Sequence, residues 1–241
     1  MVLPEYLDIF QDNEISKSEF VGKNMTIEEH NHLNFEYDEV DKDISSMIIQ
    51  IAEDMYDRLM SQFELSDLEG KYTLTICPDI KTFIEKSGKS EETYQSWMVG
   101  NANRKKHSLC ILSPRIVSDR SLDDMLRVVK HEVTHIALNA LNPKDPDDMS
   151  MCLTEGIAVY MAEQIYPNQL DITDYPSVKE LDNEEFFYEH DGYNYSGVYV
   201  GFLIRKYGAK AFRNVYAETE HFDDYLYDGY EIDAIKSFGV R

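Results

Sequence analysis

Residues 131–135 read His-Glu-Val-Thr-His, and twenty residues after His135 a second acidic motif follows, Glu155-Gly-Ile-Ala158. Leu122, Met125, Leu126, Val129, Val133, Ile136, Ala137, Ala140 and Leu141 recur at helical spacing around the first motif. Ser121 followed by Asp124 gives that helix a capping-box-like start, and Asn142-Pro143 gives it a stop. His131 and His135 then lie one turn apart on one face, with Cβ atoms about 5–6 Å apart, so both imidazoles can grip one ion. Zn²⁺ suits imidazole nitrogen and carboxylate oxygen, and a catalytic site holds it with three protein ligands and one water. Glu155, from a following helix, is expected to be the third ligand. Glu132 points to the edge of the same face, where it can take a proton from the metal-activated water rather than bind the metal. A structural zinc site would instead need four closed protein ligands, commonly with cysteine.

His131-Glu-Val-Thr-His135 followed by Leu153-Thr-Glu-Gly-Ile-Ala-Val-Tyr160 resembles the thermolysin-type gluzincin metallopeptidases, and most of all their peptidase MA-like group. Members carry the first motif and then a helix opening with an aromatic-Leu-x-Glu-Gly-x-Ala stretch; here Cys152 stands where the aromatic is usual. The metzincin pattern needs Gly and His downstream of the second histidine, where this chain has Leu138 and Leu141. Residues 193–208, YNYSGVYVGFLIRKYG, are similar to the clan's Tyr-x-x-small-(apolar helix)-Gly segment. In those relatives the leading Tyr donates a hydrogen bond to the oxyanion, which implies Tyr193 here, with Tyr195 as the alternative and Tyr199 as packing. A phenol suits that role, being a neutral donor at pH 7.

The resemblance implies a zincin-like α+β fold: a small mixed sheet with an edge strand along the cleft, packed on the two ligand-bearing helices, and a helical C-terminal part. Trp97 to Ala102 is the segment most similar in position to that edge strand, with Gly100 and Ala102 leaving room for an extended substrate. It also implies hydrolysis of peptide bonds, with Glu132 as general base and then general acid. Nothing resembles the aminopeptidases' acidic motif for a free amine, which favours an endopeptidase. A catalytically weak or inactive zincin-fold binding module is the rival, and Glu132 argues against it, since a module without chemistry has no use for the base. Asn139 is a candidate to orient a ligating histidine, whereas His30, His32, His107, His190 and His221 lack ligand spacing.

The net charge of −23 opposes nucleic acid or an anionic membrane as partner, and the acids are spread along the chain as a solvated surface would have them. The expected partner is a peptide or protein substrate, and the default oligomeric state is a monomer. Cys77, Cys110 and Cys152 are odd in number, widely spaced and set among apolar residues, so they read as buried thiols in a cytoplasmic protein. The N-terminus lacks a basic start followed by an apolar run, and no stretch approaches eighteen apolar residues.

At 241 residues one core suffices. Residues 1–20 read as an irregular N-terminal arm and 21–241 as a single zincin-like catalytic domain. Within it the patterns predict a strand in 24–37, a helix from Ile44 to Phe63, a strand at Tyr72–Cys77 and a short helix at 80–85. Strands follow at 97–100 and 109–112, around a polar connection 101–107. The zinc helix, the Glu155-bearing helix running to Tyr166, a loop-rich stretch 167–192, and helices at 195–207 and 209–219 complete the reading, with a helical C-terminus.

Overall fold

The computed structural model describes residues 25–66, 68–139, 141, 142, 144 and 149–240. The arm expected at 1–20, Pro143, and most of the acidic loop after it lie outside the described residues.

Five strands, β1 (Met25–Glu29), β2 (Leu33–Asp38), β3 (Tyr72–Cys77), β4 (Gly100–Asn103) and β5 (Ser108–Leu112), form one mixed sheet in the order β1-β2-β3-β5-β4. β2, β3 and β5 run parallel, and β1 and β4 are antiparallel edges. A parallel pair needs a long crossover, and α1 (Lys42–Gln62) supplies it between β2 and β3. The register places Phe35, Leu74, Leu109 and Ala102 on one face of the sheet, and this face also carries Gly100 beside Ile111. Ile44, Ile48, Ala52, Met55 and Leu59 give α1 a buried apolar stripe. The opposite face, with Glu36, Thr75 and Asn101, meets α2 (Ile80–Ser87): Lys86 pairs with Glu36, and Asn101 donates to the Ser87 carbonyl. Asp79 caps α2 by accepting from the Thr82 N–H at 2.7 Å.

The second half is helical: α3 (Leu122–Asn139), α4 (Met151–Met161), α5 (Glu184–Glu189), α6 (Gly192–Tyr207), α7 (Ala209–Ala217) and α8 (Tyr230–Ser237). The capping box of α3 is reciprocal, as its sequence predicts. The Asp124 N–H donates to Ser121 Oγ (3.1 Å), and Asp124 Oδ2 accepts from the Ser121 N–H (3.2 Å). α3 packs between the sheet and α4, joining the two halves.

The structure differs from the sequence reading in several places. The strand expected in 24–37 is a hairpin, broken at 30–32, where the His30 N–H donates to the Leu33 carbonyl. The strand expected at 97–100 starts at Gly100 and runs to Asn103. Its Gly-Asn-Ala-Asn composition carries no apolar alternation, and pairing with β5 supplies its order instead. The helix expected to reach Tyr166 stops at Met161. α6 starts three residues early, at Gly192, and α5 lies inside the stretch read as loop, capped by Asn183.

α4 and α6 pack at backbone contact. A Cβ at Gly156 would stand 2.5 Å from the Ser196 carbonyl oxygen, and one at Gly197 would stand 2.5 Å from Val159 Cγ1. On an exposed helix Gly→Ala stabilises by about 0.5–1 kcal/mol. Here Gly156→Ala forces overpacking, which costs about 1–3 kcal/mol. Urea unfolding should therefore show Gly156→Ala less stable than wild type; a stabilised variant would mean that the two helices are free to part.

Candidate metal centre

α3 turns His131 and His135 to one side, and α4, crossing beside it, brings Glu155 to meet them. His131 Nε2 and His135 Nε2 are 3.0 Å apart, and Glu155 Oε2 stands 3.2 Å from the first and 3.5 Å from the second. Two ligands held at about 2.0–2.1 Å from a tetrahedral centre are separated by about 3.3 Å. The three donors thus have the dimensions of one tetrahedral face, and the group could hold a metal ion. Acceptor atoms facing one another this closely repel unless protons or a cation lie among them. Burial alone pushes the Glu155 carboxyl upward. The His135 charge, hydrogen bonds from both histidines and the His131 charge outweigh burial and hold it well below the usual carboxylate range.

The orientation of His131 comes from a residue that the sequence reading missed. Gln164 Oε1 stands 2.9 Å from His131 Nδ1, so the Nδ1–H can donate to the amide while Nε2 keeps its lone pair for the site. Gln164 is placed by the way α4 ends. The Gln164 N–H donates to the Val159 carbonyl (3.0 Å) and the Glu163 N–H to the Tyr160 carbonyl (3.2 Å), the Schellman pattern that stops a helix. Glycine usually occupies the left-handed position of that motif, but here it is Glu163, at φ 60°. This hides the helix end from a sequence reading, and Gln164 with it. Arg127 of α3 secures the turn by donating to the Glu163 carbonyl while pairing with Asp123. The side chain of Asn139, proposed for such an orienting role, lies outside the described residues.

Glu132 faces β4. It is 7 % exposed, and a Cβ at Gly100 would come within 2.5 Å of its Oε1. The glycine read from sequence as room for substrate is therefore occupied by the carboxylate of Glu132. Burial pushes this carboxyl up to about 7, with Glu155 adding to the rise and His131 opposing it. β4 pairs with β5 alone among the described strands, so an edge strand does run past the acid.

Tyr193 lies in the first turn of α6, its ring centroid 6.3 Å from that of His131 and 5.0 Å from that of Phe187. Burial first, then Glu155, Tyr188 and Glu132, push its hydroxyl far above the usual phenol range, which keeps it a neutral donor. Tyr195, two residues on, is turned about 200° around the helix. Its hydroxyl accepts from the Asp171 N–H (2.8 Å) and donates to the Asp171 carbonyl (3.1 Å). The Tyr199 hydroxyl donates to the Pro176 carbonyl at 2.6 Å. Both fasten the 171–176 segment, so the alternative donor, Tyr195, is committed elsewhere. His190 stacks on Phe186 with centroids 3.7 Å apart, His32 on Tyr56 and His107 on Tyr72. Cys152 is buried one turn before Glu155 and is not in the donor group.

His131, Glu132, Gln164 and Tyr193 border a cavity of about 290 Å³. Val128, Val159 and Met98 give it apolar walls, with Arg120 and Asp191 among its polar lining. Trp97, leading into β4, touches Tyr188 of α5 with ring centroids 5.3 Å apart, so the strand side and the helical side meet at this pair. No protein-family model matches the chain, and comparison with curated proteins finds no match.

Removing a partner that orients a ligating histidine typically weakens metal binding about 10–100-fold. Gln164→Ala should show a loss of that size in competition with a chelator, with the fold unchanged by circular dichroism. Unaltered affinity would separate Gln164 from the centre.

Proposed function

We propose that this chain is a zinc-dependent peptidase of the gluzincin type that cuts internal peptide bonds. The observation that carries this reading is the triangle of 3.0, 3.2 and 3.5 Å formed by His131, His135 and Glu155, with the Glu132 carboxyl buried beside it. His131, His135 and Glu155 would hold the zinc, which when bound lowers the pKa of a water from 15.7 towards about 7 and polarises a carbonyl. Glu132 takes the proton of the attacking water and returns it to the leaving amine nitrogen. The Tyr193 hydroxyl donates to the oxygen that gains charge as the carbonyl becomes tetrahedral. The free edge of β4 pairs with the substrate backbone, binding that depends little on its side chains.

Cleavage within a chain is favoured because nothing in the sequence resembles the aminopeptidases' acidic motif for a free amine. We place the protein in the cytoplasm because Cys77, Cys110 and Cys152 are all buried free thiols. No helix among the described residues is long and apolar enough to cross a membrane.

Two measurements test the reading. The chain should bind one Zn²⁺; Glu155→Ala should lose it, and Glu132→Gln should keep it while abolishing cleavage of a mixed-peptide digest read by mass spectrometry. Equal zinc loss in both variants would show that the two glutamates have been assigned wrongly. Tyr193→Phe should retain zinc and lower kcat about 10²–10³-fold with a smaller change in KM. Tyr195→Phe and Tyr199→Phe should leave kcat unaltered, and damage from either would move the oxyanion donor away from Tyr193.

A further inference from the structure

Arg120 lines the cavity together with Trp97 and Met98. Many cations among the described residues are committed to an acid or lie against a ring. Lys42 pairs with Glu39, Lys71 with Glu29, Arg115 with Asp43, and Arg127 with Asp123, while Arg205 lies over the Phe238 ring. Arg120 has no such partner. Its guanidinium makes one hydrogen bond, to the Trp97 carbonyl at 3.1 Å, and no described carboxylate pairs with it. A guanidinium has five N–H donors in a planar fork that matches a carboxylate. In a chain of net charge −23, an arginine left without an acid at the border of the cleft has its remaining donors free for a ligand.

We propose that Arg120 determines specificity by binding a carboxylate of the peptide held beside Trp97, either an acidic side chain or the C-terminal group. The proposal rests on the cleft being a peptide-binding site and names what that peptide must carry. Its tethering to the Trp97 carbonyl fixes the fork at the entry to β4, where an extended segment paired with the strand edge would pass. The diffuse field of the protein repels an acidic peptide everywhere else, so preference for one identifies a local cation.

Trp97 is the chain's only tryptophan and reports binding by its own fluorescence. The test uses the Glu132→Gln protein, which turns nothing over, and blocked pentapeptide pairs differing only as Glu against Gln, or as C-terminal acid against amide. The charged member of at least one pair should bind about ten-fold tighter or more than its neutral twin. Which pair responds decides between a side chain and a chain terminus. Arg120→Gln should erase that ratio, and Arg120→Lys, which keeps charge but loses the fork, should retain part of it. A ratio that survives in Arg120→Gln, equal binding of all the twins, or no binding of any peptide overturns the proposal. Because the readout is binding, a wild-type protein that binds acidic peptides but cleaves none would sink the peptidase reading and leave the carboxylate site standing.

Discussion

The backbone contact between α4 and α6 is the constraint from which the cleft takes its shape. Gly156 follows Glu155 directly, so the position of a donor carboxylate and the closest approach of two helices are set within one turn. α6 carries Tyr193 at its start, and its distance from α4 places that ring beside His131. The other side of α6 holds the 171–176 segment through the Tyr195 and Tyr199 hydroxyls. One helix thus carries a ring of the candidate site on one side and braces a wall on the other.

The site's electrostatics follow from the same crowding. Glu132 and Glu155 are both carboxylates in one small volume, yet their environments drive them in opposite directions. Glu155 faces two imidazoles and stays ionised, whereas Glu132, pressed under β4 at Gly100, rises to about 7. Pairs of titratable groups pushed apart in this way mark a division of labour between holding charge and exchanging protons. A cation on the three donors would lower Glu132 in turn, because positive charge favours the ionised form.

The helical motif, its capping box and the pairing of His131 with His135 were legible because each rests on local spacing, whereas Glu155, on another helix, was read from the second motif and its resemblance to the gluzincins. α1 and β3 were legible for the same reason, through a 3.6-residue stripe and a short apolar run. What escaped has no local signature. β4 is Gly-Asn-Ala-Asn, ordered by its partner strand and by Glu132 beneath Gly100, so a hydrophobic pattern cannot reveal it. Gln164 owes its place to a left-handed residue that is Glu rather than Gly, and the choice between Tyr193 and Tyr195 depended on where α6 begins. Those positions are fixed by tertiary contacts, which override propensity.

The contact between Trp97 and Tyr188 has a consequence for what can enter. If the cleft takes peptides as proposed, an opening narrowed by these two rings would favour a chain that is already loose over a folded surface. Selection among proteins would then follow local unfolding free energies, which in a native fold run from about zero at fraying termini and loops up to the stability of the whole domain. On the proposed reading, well-packed neighbours, including other copies of this chain, would be spared by their own stability, and a protein would become vulnerable when damage frees a segment long enough to reach the cleft.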